Sequence, residues 1–329
     1  MKLIGIHILR IFSILLCIHP YGVACAQSSE ARYVQSELDR IYFDLHNAQT
    51  SHIEAIHELE LLPRDATIER MITMLETQTD LDDLSVFYTY FFLYRLGAVQ
   101  SERGRTFLLS RLADLRAGIA IVEAFKRVST EHIDEVLPGL LLLLQDSSET
   151  TERIVATMGT VGHLGAQSPR YASDAFEIVG GIFSNPANEG RIRSSASTTM
   201  IRLGGVGPAI DQFSVSDETG KILACRAIKS ALLNRHDVDL FRSRLAKDRV
   251  NEFTLSNIST NNDELFSQVL EMVRAVLYTE DKSSPDELRR NEDIIDSLRS
   301  VAERAGEDKK GRVLTFLNGY DEFVRQREN

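Results

Sequence analysis

Beyond residue 27, apolar residues recur every three or four positions along most of the chain. Val34, Leu38, Ile41 and Leu45 are spaced 4, 3 and 4, one stripe on an amphipathic helix over 28–47. Ser51 and Glu54 form a capping-box pattern before Ile56 and Leu59, and Leu62-Pro63 closes that helix. Asp65 can cap the next, which carries Ile68, Met71, Ile72 and Leu75. Asp82-Asp83 precede a helix ending at Leu96-Gly97.

Two further helices are expected over 101–117 and 118–129, then a leucine-rich one from Glu131 to Gln145. A polar turn leads from there into a helix of small and apolar residues ending at Gly165. Pro169 starts a helix that Asn185-Pro186 breaks, and Ile192 to Gly204 is another. Gly207-Pro208 reads as a turn into a short apolar segment, and Asp217 opens a helix to Leu233. Residues 251–262 read as a polar loop. Beyond it come helices over 263–278, from Pro285 at the first helical position to Gly306, and over 311–325. No stretch alternates with the two-residue period of a strand, so no sheet is expected.

Repetition is visible beneath the helices. Leu62, Leu96, Leu164 and Leu203 lie near helix ends followed by Pro or Gly, at separations of 34, 68 and 39. Glu149 precedes Arg153, Glu189 precedes Arg193 and Asp217 precedes Lys221, each by four residues. An acid at a helix start with a base at i+4 is the expected pairing. Gly159, Gly162 and Gly165 fit close helix packing.

Residues 65–234 thereby resemble HEAT-like repeats, of the kind also seen in phycobilin lyases. The likeness is carried best by 137–165 and 192–204: an acidic turn, an aliphatic-basic pair, small residues and a glycine end. Ser and Thr replace Ala over 194–199, and the copy at 82–97 is aromatic, so the pattern is loose. The resemblance implies an all-α fold, a right-handed α-solenoid of antiparallel helix pairs, here with an irregular helical C-terminal cap. The expected division is a secretory signal peptide over 1–26, an N-terminal helical cap over 27–64, the solenoid over 65–234 and a C-terminal helical region over 235–329.

The signal peptide rests on Lys2 and Arg10, the apolar run from Ile11 to Ile18, Pro20, and Ala24-Cys25-Ala26 at the cleavage site. Cleavage after Ala26 would make the protein secreted or periplasmic. Membrane association would follow only if this segment stayed uncleaved or Cys25 were lipidated. Cys225 would then be the sole remaining cysteine, so packing rather than disulfides must hold the fold, and a buried apolar role fits it. Asn257-Ile258-Ser259 is a glycosylation sequon, relevant in a eukaryotic host.

The net charge is −11, and −13 without residues 1–26, which disfavours a nucleic-acid partner. No histidine pair has metal-ligand spacing on a helix, no glycine run follows a strand as a phosphate loop would, and no nucleophile elbow occurs, so neither metal nor cofactor is expected. The chain is therefore read as a non-enzymatic protein-protein interaction scaffold whose partner is another protein, bound on a concave surface built from the second helix of each repeat. An envelope immunity or inhibitor protein acting on a toxin or hydrolase is the alternative. A lyase-like enzyme follows only from the resemblance.

Phe87, Tyr88, Tyr90, Phe91, Phe92 and Tyr94 crowd one helix. Phe87, Phe91 and Tyr94 are expected in the core. Tyr88 and Phe92, on another face, are the candidate partner-binding residues.

Overall fold

The computed structural model describes residues 29–78, 81–234, 237–241, 243–279 and 285–328. The proposed signal segment and its cleavage point lie outside them. The described residues form sixteen α-helices joined by turns and short 3-10 segments, and no strand. Two compact units divide between Arg70 and Met71.

The first unit holds α1 (Ser29–His46) and α2 (His52–Glu60), and α3 (Arg64–Thr77) begins in it. Val34, Leu38, Ile41 and Leu45 are the buried residues of α1, as their spacing requires. Ser51 and Glu54 form the full capping box of α2. Arg40 bridges Glu37, Asp44 and Glu58, tying the exposed sides of α1 and α2 together.

The second unit is an array of helical hairpins. Its helices are α4 (Asp83–Leu96), α5 (Glu102–Ser110), α6 (Ala120–Ala124), α7 (Ile133–Gln145), α8 (Thr151–Gly165), α9 (Ala172–Ser184), α10 (Gly190–Gly204), α11 (Val206–Ser214), α12 (Glu218–Leu233), α13 (Arg244–Asn257), α14 (Asp263–Thr279), α15 (Pro285–Arg304) and α16 (Glu307–Glu328). Consecutive helices pair as α7/α8, α9/α10, α11/α12, α13/α14 and α15/α16. Alternate helices stack into layers. In one, α4, α6, α8, α10, α12 and α14 each pack on the next; in the other, α7 packs on α9, and α11 on α13 and then α15. This two-layer stacking is an α-solenoid of HEAT-like antiparallel pairs. It passes Asn234 without a break, because α12 packs on α14 and α11 on α13.

Close contact between members of the first layer explains its small residues. A Cβ on Gly165 of α8 would clash with Leu203 Cδ2 of α10. One on Gly162 would meet the Thr199 methyl at 3.2 Å. Thr160 and Thr199 satisfy their buried hydroxyls on the carbonyls of Val122 and Met158 in the preceding rung.

Several expected boundaries move. The two helices expected over 101–129 are broken into α5, a 3-10 turn at Leu115–Ala117, α6 and another 3-10 turn at Phe125–Arg127. Asp114 caps the first turn and Gly118 adopts φ 54°, ψ −135°, a backbone that ends a regular helix. The expected turn at Gly207-Pro208 lies inside α11; the chain turns at Gly205, with φ 75°. The polar stretch after Asn251 is mostly helical rather than a loop, because Thr254 and Asn257 turn inward and bond to the carbonyls of Val250 and Phe253.

Of the three i,i+4 ion pairs expected, one forms. Arg153 Nε lies 2.7 Å from Glu149 Oε2, both side chains only 2% exposed. Arg193 instead reaches Asp217 at 2.7 Å, across the turn into the next hairpin. Asp217 also caps α12.

Candidate interaction face on α4

Helix α4 begins at Asp82, whose carboxylate accepts from the Ser85 amide, and ends at Gly97 with φ 69°. Almost every side is covered. Val86, Thr89, Tyr90 and Leu93 are fully enclosed. Tyr90 stacks near Phe107 and donates from its hydroxyl to Asp114 at 3.2 Å. Burial, reinforced by the Asp114 charge, raises the Tyr90 phenol well above its ordinary range.

The candidate residues fall on the covered side. Tyr88 is 7% exposed and Phe92 0%, their rings stacked at 6.0 Å. Neither can serve as a surface contact. Phe87, expected in the core, is 39% exposed, and Phe91 and Tyr94 are half-buried beside it. The two aromatic faces are thus exchanged. Both have helical spacing and similar apolarity, so periodicity shows two stripes but not which one the neighbouring helices cover.

The open side of α4 consists of the exposed Asp83, Leu84, Phe87 and Arg95 with the half-buried Phe91 and Tyr94. Phe87 and Phe91 stack at 6.4 Å with a 9° interplanar angle, and Tyr94 follows at 6.3 Å from Phe91. Gly118 lies under Phe87: a Cβ there would be 3.7 Å from the ring. That contact brings the exposed Leu115 and Ile119 of the α5–α6 connection toward the same region, 55% and 45% exposed. At the other end the Arg127 guanidinium sits 4.6 Å over the Tyr94 ring and donates to the carbonyls of Tyr94 and Arg95. It satisfies the open carbonyl end of α4 while holding positive charge at the rim.

The next members of the same layer carry no Phe or Tyr. On α8 Glu152 and His163 are exposed and Ile154, Val155 and Ala156 partly so, and on α10 Arg191 is exposed with Ser194, Ser195 and Thr198 partly so. Ion pairs cross from rung to rung: Arg191 to Glu152 at 3.3 Å, Arg226 to Glu264 at 3.0 Å, Lys229 to Glu271 at 3.6 Å. Between α14 and α16 lies an open cleft of about 510 Å³, with Leu270 and Phe316 among charged Glu271, Arg274, Glu307, Asp308 and Arg312. Among the described residues no group of three or more His, Cys, Asp or Glu side chains is arranged to hold a metal ion. Nor is any helix there long and apolar enough to cross a membrane.

No protein-family model and no curated protein matches the chain. Among solved structures it is similar to an engineered protein at 14% identity, covering 90% of this chain and 76% of that one, with a TM-score of 0.39. It is also similar to a computationally designed armadillo repeat protein for modular peptide recognition, at 12% identity, covering 76% of this chain and 98% of that one, with a TM-score of 0.32. The solenoid assignment rests on the chain's own helix packing.

Proposed function

We propose that the protein is a non-catalytic helical-repeat scaffold that binds another protein, and that the Leu84–Phe87–Phe91–Tyr94 strip is a docking face. One observation carries the reading. Helix α4 is enclosed on most sides, and its open side sets Leu84, Phe87 and the half-buried Phe91 and Tyr94 in a row between Asp83 and Arg95, whereas α8 and α10 in the same layer carry no Phe or Tyr. Large apolar side chains left together on a surface mark interaction sites, and aromatic residues supply much of the energy there. The fold suits the task, since stacked repeats present long, rigid surfaces.

Secretion or export to the periplasm is part of the proposal, supported by the pattern of residues 1–26; amino-terminal sequencing of the purified protein should start at Gln27. For the docking face, a photo-crosslinking amino acid is placed at Phe87 and, as a control, at Leu142 on α7, itself 69% exposed. Adducts with a protein should form in the producing cells from position 87 and not from 142. Equal yields from both positions, or none from 87, would remove the α4 face from the reading.

A further inference from the structure

The α4 strip has a symmetry that bears on what covers it. Leu84, Phe87, Phe91 and Tyr94 are spaced 3, 4 and 3, the seam of a helix that packs lengthwise on another helix. The four positions are also symmetric about position 89, since 84 mirrors 94 and 87 mirrors 91. The charges at the ends are of opposite sign. Asp82 and Asp83 stand at the start of α4, and Arg95, joined by Arg127 over Tyr94, at its end.

We infer that the occupant of this face is a second copy of the same chain, with the two α4 helices antiparallel across a two-fold axis at the level of Thr89. This rests on the reading of the strip as a docking face. In that arrangement Leu84 of one copy lies level with Tyr94 of the other, and Phe87 with Phe91. The whole seam spans about 15 Å at 1.5 Å per residue. The acidic end of each seam comes level with the basic end of its mate, and the two helix dipoles oppose. A parallel pairing would set acid beside acid and base beside base. Two-fold contacts require a patch complementary to itself, and this strip meets that requirement in both spacing and charge. The strip is short for a permanent interface, so the pairing is weak and concentration-dependent.

The test is sedimentation equilibrium of the purified protein from about 1 to about 200 μM, a range that spans weak association. A reversible monomer–dimer equilibrium with a micromolar midpoint is expected. Phe87→Ser should weaken it at least tenfold, with unchanged circular dichroism showing that the fold persists. Arg95→Glu should weaken it several-fold, and adding Asp83→Arg should restore it, because exchanging both ends recreates the complementarity. Direction is read separately: a mixture of Phe87→Cys and Phe91→Cys chains should form the mixed disulfide in preference to either homodimer. A protein monomeric throughout, a dimer indifferent to Phe87→Ser, or preferential Phe87→Cys homodimers would overturn the inference. If the protein is monomeric yet position 87 crosslinks a different protein, self-docking falls and the docking-face reading stands. If it is monomeric and position 87 crosslinks nothing, both fall.

Discussion

Arg153 offers the sharpest test of how the array is held together. Its side chain leaves α8 and enters the irregular α5–α6 connection, where Nη1 donates to the carbonyls of Asp114 at 3.0 Å and Gly118 at 3.3 Å, and Nη2 to that of Leu112. Nε faces Glu149 at 2.7 Å, with both side chains shut off from water. Arg153→Met keeps the aliphatic stem and removes the charge and the donors. A buried carboxylate left without its partner costs about 3–5 kcal/mol. Each carbonyl left without a donor adds about 1 kcal/mol or more, less whatever the loop recovers by opening to water. The expected loss is therefore about 4–6 kcal/mol, a large part of the roughly 5–15 kcal/mol that holds a domain. At about 3 °C per kcal/mol for a unit of this size, the midpoint should fall by about 12–18 °C. Glu149→Leu with Arg153→Met removes both charges and should recover about half the loss, since the carbonyls stay unpaired. Thermal and urea melts followed by far-ultraviolet circular dichroism measure all three. A loss below about 1 kcal/mol for Arg153→Met, or a double variant weaker than the single, would refute the view of this ion pair as the clamp on the connection. The connection also carries Gly118 beneath Phe87, so loosening it should blunt the α4 face as well.

Other expectations follow from single contacts. Gly165→Ala forces its new methyl against Leu203 and should cost about 1–3 kcal/mol, and adding Leu203→Ala should relieve the clash; a neutral single variant on melting would contradict the close rung packing. The Arg193 hydrogen bond holds the Asp217 carboxyl below its usual range against a smaller opposing effect of burial. A depressed folded pKa gives stability that is present above the unfolded value near 4 and lost as pH falls through the folded one. Asp217→Asn should therefore lower stability at pH 7 by about 1 kcal/mol or less, the carboxylate being half exposed, and the difference should vanish in acid melts; a gap that widens below pH 4 would reverse the sign. Burial pushes the Cys225 thiol up to about 12, so a thiol reagent should modify it at the rate of unfolding, and fast labelling of the native protein would place it at the surface. Asn257 is 5% exposed and its amide nitrogen is bonded to the Phe253 carbonyl, so expression in a glycosylating host should leave the sequon bare by mass spectrometry; a glycan on folded protein would show that α13 forms late or opens.

The local pattern was sufficient for helices, caps and stripes. Residues 34, 38, 41 and 45 faced inward, Ser51 with Glu54 capped α2, and Asp82 and Asp217 capped α4 and α12, because these depend on spacing within one or two turns. The sequence also contained the repetition that makes a stacked array the economical way to cover every apolar stripe. Three matters were decided by tertiary structure. Arg193 had an acid four residues before it and another twenty-four after it, and only the approach of the next hairpin selected Asp217. Thr254 and Asn257 read as loop residues until the backbone carbonyls one turn earlier accepted their hydrogen bonds inside a helix. On α4 two aromatic stripes of equal periodicity competed for the interior. The neighbours packed around α4 covered Tyr88 and Phe92 and left Phe87 at the surface, because periodicity fixes which residues share a face, while burial depends on what lies opposite that face.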